Sequence, residues 1–260
     1  MQCEMIGLVF YFTATGNSLY AARQLDGECY SIPRELHGDM HYSSAEIGIV
    51  CPVYGHEMPL PVKRFIAEAD FETDYLYLIL TYGNRHGGAA EMAAEFAGSV
   101  GKTFRYINVL LMADNFLPAF DMSRQMKLDN HIPQQIESIR SDIFAHRHFI
   151  SEVTDTDRAA HRQFLERMSE LPADAFKNIY RITEKCIGCG ICTKVCPMGC
   201  FELEAQRAVR RSKECISCMA CIHACPETAI RLTVSEPNPN ARYRNENVSL
   251  MDIITANRQK

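Results

Sequence analysis

Met5-Ile-Gly-Leu-Val-Phe-Tyr-Phe12, running directly into Thr13-Ala14-Thr15-Gly16-Asn17-Ser18, is the stretch on which the reading of this chain turns. The first eight residues form an apolar run of strand length, of the kind buried on both faces of a sheet. A helical pattern then opens near Asn17 and continues to Leu25. Consecutive N–H groups at such a helix start form an anion cradle, and the hydroxyls of Thr13, Thr15 and Ser18 add donors for a phosphate. The loop carries no lysine, so it is not the Gly-Lys-Ser/Thr phosphate loop, and no G-x-G-x-x-G occurs anywhere in the chain. A plainer use of the same residues is a helix capped by Thr15 or Asn17.

The alternation continues outward. Glu28 to Ile32, Ile47 to Val53, Tyr75 to Thr81 and Phe104 to Met112 read as further strands. Leu60 to Ala69, Gly88 to Val100 and Ile132 to about His148 read as helices. This rhythm predicts an α/β fold: a doubly wound, five-stranded parallel sheet, whose ligands bind outside the carboxyl ends of the strands. Two more loops fall at those ends, Pro52-Val53-Tyr54-Gly55 and Thr81-Tyr82-Gly83-Asn84-Arg85-His86-Gly87-Gly88. Tyr54 offers an aromatic face for stacking, and Gly83 and Gly87 permit close backbone approach; a surface tyrosine and turn glycines are the ordinary alternatives. Ala113 to Asn130 is longer than a usual βα connection, as functional loops often are. Asp157 to Leu171 reads as an amphipathic linker helix with Ala160, Phe164, Leu165 and Met168 on one side.

The loop after the first strand resembles the Ser/Thr-x-Thr-Gly-Asn-Thr phosphate loop of flavodoxins, with Ser18 in place of the last Thr. That resemblance implies FMN as cofactor. Its phosphate would lie on Thr13, Ala14, Thr15, Gly16, Asn17 and Ser18. Its ring would lie between Pro52, Val53, Tyr54 and Gly55 on one side and Thr81, Tyr82, Gly83, Asn84 and Gly87 on the other. Arg85 and His86 stand where a dedicated flavodoxin has strongly acidic loops.

Eight of the twelve cysteines sit in an internal repeat. A shift of 29 residues carries Cys186, Cys189, Cys192, Cys196 and Pro197 onto Cys215, Cys218, Cys221, Cys225 and Pro226, and Phe201 and Leu203 onto Ile230 and Leu232. Each copy reads Cys-x-x-Cys-x-x-Cys-x-x-x-Cys-Pro. Four thiolates also suit zinc, but zinc cysteines usually come as separated pairs. The segment closely resembles a two-cluster bacterial ferredoxin. The resemblance implies two [4Fe–4S] clusters, one on Cys186, Cys189, Cys192 and Cys225, the other on Cys215, Cys218, Cys221 and Cys196, because the fourth cysteine of each run ligates the other cluster. Cys200 corresponds to Ala229, which reads as a small packed residue rather than a ninth ligand. Arg207, Arg210, Arg211 and Lys213 form a basic run between the motifs, either a solvated loop or a dock for an acidic carrier.

The whole chain resembles the flavodoxin–ferredoxin fusion proteins of anaerobic bacteria and archaea. The expected division is an FMN domain over 1–150, a helical linker over 151–175, a two-cluster ferredoxin domain over 176–234, and a tail over 235–260 with a short helix opening at Ser249 and Asp252. The expected function is that of an oxidoreductase exchanging electrons between a redox partner protein (a ferredoxin-like carrier or a reductase), the clusters and FMN, with a small-molecule substrate at FMN. A pure carrier and a redox sensor are the alternatives. Asn115, Phe116 and Phe120 would shape a pocket over the ring in the enzyme reading. The catalytic residue is unassigned: His56, His86, Arg85 and Tyr54 are candidates, though such residues are more often structural or solvated than catalytic. A net charge of -5, from 27 basic and 32 acidic residues, argues against a nucleic-acid surface. No apolar run reaches the roughly 20 residues of a membrane span. The first residues lack a secretory pattern, so a reducing, cytoplasmic location is expected for the cysteines.

Overall fold

A computed structural model describes residues 7–172, 175–177, 179–211 and 214–257. Cys3, the first two residues of the Met5–Phe12 run and Lys213 lie outside them. In chain order the elements are β1 (Gly7–Tyr11), α1 (Asn17–Arg23), β2 (Gly27–Ser31), α2 (Ile32–Glu35), β3 (His41–Ser43), β4 (Glu46–Pro52), α3 (Leu60–Glu68), β5 (Asp70–Glu72), β6 (Tyr75–Tyr82), α4 (Ala89–Ser99), β7 (Tyr106–Leu111), α5 (Met122–Gln125), α6 (Ile132–Phe144), β8 (Phe149–Ile150), α7 (Asp155–Ser169), β9 (Tyr180–Ile182), α8 (Ile191–Val195), β10 (Phe201–Glu204), β11 (Arg207–Arg210), α9 (Ala220–Ala224), β12 (Ile230–Leu232) and α10 (Leu250–Asn257).

The main sheet has the order β2-β1-β4-β6-β7-β8, and every pairing in it is parallel. Its first five strands follow the 2-1-3-4-5 order of flavodoxin-like folds. The side-chain alternation of β1 divides the core. Val9 and Tyr11 face one layer with Leu19 of α1, Ile139 of α6 and Ile253 of α10. Phe10 and Phe12 face the other, with Phe65 of α3 and Ala93 of α4.

Three features depart from the expectation. The sheet gains a sixth strand, the two-residue β8, which pairs Phe149 with Tyr106 at the edge. The helix expected to reach His148 stops at Phe144 because the chain turns there, with His146 at φ +47. A small parallel pair, β3 with β5, was also not foreseen; it brings Tyr42 and Phe71 onto Phe10 and Phe65, at centroid distances of 4.4 to 6.2 Å.

After α7 come two small antiparallel pairs, β9 with β12 and β10 with β11, and the helices α8 and α9. The 29-residue shift superposes α8 on α9 residue for residue. The tail folds back. Asn257 Nδ2 donates to the Thr13 carbonyl at 3.0 Å and to the Val195 carbonyl at 3.1 Å, tying the end of β1 to α8. A capping box starts α10: the Ser249 N–H donates to Asp252 Oδ2 at 2.8 Å, and the Asp252 N–H donates to Ser249 Oγ at 3.1 Å.

Candidate cofactor sites

A cavity of about 580 Å³ opens at the carboxyl ends of β1, β4 and β6, a size typical of small-molecule sites. Thr13, Ala14, Thr15, Asn17 and Ser18 line it, as do Pro52, Val53, Tyr54 and Gly55, and Thr81, Tyr82, Gly83 and Asn84. The long connection after β7 supplies Asp114, Asn115, Phe116 and Phe120, and α7 supplies Phe164 and Met168. Leu165, expected on the same side of α7, is 49% exposed.

The glycines pack closely against other parts of the chain. Gly16 and Gly87 are not in the cavity wall. A Cβ on Gly16 would meet Asn245 and Val248 of the tail at 3.0 Å, and one on Gly87 would lie 2.3 Å from the His56 ring. A Cβ on Gly83 would lie 2.3 Å from Asp114, and one on Gly55 3.1 Å from Phe164. All four lie against another part of the same chain, so a side chain at any of them would have to displace it.

The loop after β1 is fully buried and held from outside. Asn17 Oδ1 accepts from the Tyr243 hydroxyl at 2.6 Å and from Asn245 Nδ2 at 3.2 Å, while its Nδ2 donates to the Ala113 carbonyl at 3.0 Å. Its side chain is therefore committed to the fold. Thr13 Oγ1 accepts from the Gly16 N–H at 3.1 Å, and Thr15 Oγ1 from Asn115 Nδ2 at 2.6 Å. A hydroxyl that accepts still has its own proton to donate, and the first N–H groups of α1 have no partner within the helix. Ser18 and Thr81 bond to each other through their hydroxyls at 2.8 Å. Across the cavity the Tyr54 hydroxyl is buried with no partner among the described residues, and burial pushes its pKa well up. A ligand presenting a polar edge to Tyr54 and an anion to the loop fits these donors.

The cysteines fall into two groups. Cys186, Cys189, Cys192 and Cys225 surround one small void between α8 and β12. Cys196, Cys215, Cys218 and Cys221 lie together; burial raises the Cys218 thiol, and Cys196 and Cys215 raise it further. Each grouping crosses between repeats. Among the described residues no three donors converge as a single-ion site requires; a cubane instead takes one thiolate on each of four irons. The Cys200 N–H donates to Cys196 Sγ at 3.3 Å, and the Ala229 N–H donates to Cys225 Sγ at 3.2 Å. Cys200 is fully buried in the role its counterpart alanine plays. The basic run is β11 and its flank, where Arg207 pairs with Glu184 at 3.2 Å and Arg211 with Glu202 and Glu204.

The two groups differ in their relation to the cavity. Cys215, Ile216, Ser217 and Met219 form part of its wall, whereas the Cys186–Cys192 turn does not. The sequence reading named Cys215 as a cluster ligand but did not place it at this cavity, and it missed Ile216, Ser217 and Met219, together with Tyr243, Asn245 and His161, because their only signal is proximity after folding.

Residues 178–226 match the family of 4Fe–4S dicluster domains. No curated protein matches the chain. Among solved structures, the chain is similar to a protein described as a flavoprotein from Bacteroides uniformis, at 18% identity over 42% of this chain and 92% of that one, with a TM-score of 0.33. It is similar to the Trp repressor binding protein of Bacillus subtilis at 13% identity over 53% and 97%, with a TM-score of 0.32, and to a flavodiiron core from Synechocystis at 14% identity over 55% and 38%, with a TM-score of 0.31. The chain thus joins a flavodoxin-like fold, identified by its strand order, to a 4Fe–4S dicluster domain.

Proposed function

We propose that the chain is an electron-transfer oxidoreductase that holds FMN in the large cavity and two [4Fe–4S] clusters on the two cysteine groups. One observation carries the reading: the Cys215–Met219 turn and the three strand-end loops are walls of the same cavity. When bound, the clusters would carry single electrons and the flavin one or two. The residues then have separate tasks. Thr13 to Ser18 would receive the phosphate, and Tyr54 would face the ring. Cys215, Cys218, Cys221 and Cys196 would hold the cluster adjoining the flavin. Cys186, Cys189, Cys192 and Cys225 would hold the outer one, where Cys189 and Ile187 are exposed to a redox partner protein. Phe116, Phe120, Phe164 and Met168 wall in the cavity, which favours a small-molecule substrate beside the flavin over a bare carrier surface. Among the described residues no helix is long and apolar enough to cross a membrane; cytoplasmic placement remains part of this proposal.

Anaerobic reconstitution tests it. About eight irons and eight sulfides are expected per chain, with FMN released on acid treatment. On addition of dithionite the clusters should bleach first and the flavin follow at a rate independent of protein concentration. Zinc in place of iron, half the iron, or a chain that takes up no flavin would overturn the assignment.

A further inference from the structure

The geometry points to His56 and His161 as a proton-transfer pair serving the cavity, a role that rests on the redox reading above. His56 lines the cavity and His161 stands behind it on α7, the two Nδ1 atoms facing each other at 3.4 Å. A bond between two such nitrogens needs one protonated and the other bare. The pair therefore shares one proton, and a second proton would break the bond.

The surroundings are shaped around the His56 ring. Its backbone sits at φ +70, a region that strains a residue with a side chain. Paired backbone bonds between Tyr54 and Glu57, at 2.9 and 3.1 Å, hold it there. Gly87 leaves the space the ring occupies, and Phe164 packs on it with centroids 4.9 Å apart. The capping box of Thr154 with Asp157 starts α7, and Arg158 pairs with Glu91 of α4, so His161 is placed by a fixed helix. The charged and titratable groups facing His56 are His161 and Asp157 from α7 and Arg85 and His86 from the loop after β6. Burial, followed by His161, Arg85 and His86, lowers its pKa, and Asp157 opposes them. His56 thus releases a proton more readily than an isolated imidazole.

Such a pair has a use that the cysteines cannot supply. Reduction of a conjugated organic acceptor A follows A + 2e⁻ + 2H⁺ → AH₂. The electrons come from a reduced low-potential carrier protein. His56 gives its Nε2 proton to the acceptor as the shared proton moves from His161 Nδ1 to His56 Nδ1; return of the shared proton to His161 and uptake of one proton from solvent restore both rings, and a second cycle supplies the second proton.

The test uses full-length reconstituted protein, reduced with dithionite, freed of it, and mixed with p-benzoquinone. In the native chain, reoxidation should slow as pH rises through the pKa of the pair. His56→Gly suits φ +70 and should keep iron and flavin, yet react about a hundredfold more slowly, lose the pH dependence and recover with added imidazole. His161→Gln removes a repelling charge, so the pH profile and the His56 ring titration read by NMR should both move to higher pH. Full activity of His56→Gly, a loss that imidazole does not restore, or an unmoved His56 titration in His161→Gln would each overturn the pair. Failure of the native chain itself to reduce the quinone would instead remove the cavity reading on which the pair rests.

Discussion

The two cysteine repeats trace the same backbone with different residues. Gly188, Gly190 and Gly199 of the first stand at φ +68, +72 and +59. Their counterparts in the second are Ser217, Met219 and Thr228, at φ +55, +60 and +45. Left-handed backbone costs about 1–2 kcal/mol at a residue with a side chain, so the second repeat carries strain the first avoids. The surroundings explain why. The first repeat lies under the β10–β11 hairpin, and a Cβ on Gly188 would sit 2.1 Å from the Gln206 carbonyl oxygen. The second faces the large cavity, where side chains are needed. Ser217 Oγ donates to the Phe176 carbonyl at 2.8 Å, and Met219 is buried with Leu117 and Met122 of the long connection. A repeat can exchange glycine for a side chain where a neighbouring module offers a surface to pack against.

Four substitutions at three positions put this comparison at risk. The largest effect should come from Gly188→Ala. Strain at φ +68 adds to a clash with rigid backbone, so the cluster on Cys186, Cys189, Cys192 and Cys225 should be lost and iron should fall from about eight to about four. Retention of all the iron would mean that the hairpin yields. Next are two truncations of Met219. Met219→Ala removes a buried side chain but keeps the strain, and should destabilise by roughly 2–5 kcal/mol. Met219→Gly removes more atoms yet relieves the strain, and should be the more stable of the two by about 1 kcal/mol, read as a higher temperature for thermal loss of cluster absorbance. The reverse order would show that φ +60 carries no strain here. The smallest change should follow Cys200→Ala, which makes the first repeat match Ala229 of the second. Both clusters should remain, at a stability loss of about 1 kcal/mol. Disappearance of one cluster's spectrum would make Cys200 a ligand.

Much of this organisation was legible in the residues. The apolar runs marked the strands of the main sheet except β8, which is too short to carry a pattern. The cysteine spacing marked the cluster motifs because a cubane fixes the step between ligands along the chain. Thr13 to Ser18 marked the loop after β1, but not what covers it. Gly16 reads from sequence as one residue of that loop; that a Cβ there would meet Asn245 and Val248, more than 200 residues away along the chain, is not legible in it.

The division between the two kinds of information has a physical cause. Strand runs, the 29-residue repeat and the loop hydroxyls are local, set by periodicity, ligand spacing and helix-end hydrogen bonding, so the sequence by itself determined them. Which cysteine group adjoins the cavity, which histidine backs His56, and how the tail commits the side chain of Asn17 depend on how the modules dock. Docking joins residues far apart in the chain, such as Asn17 with Tyr243 and His223 with Asn115. Only tertiary structure decided these, because complementary packing between distant surfaces leaves no spacing to read.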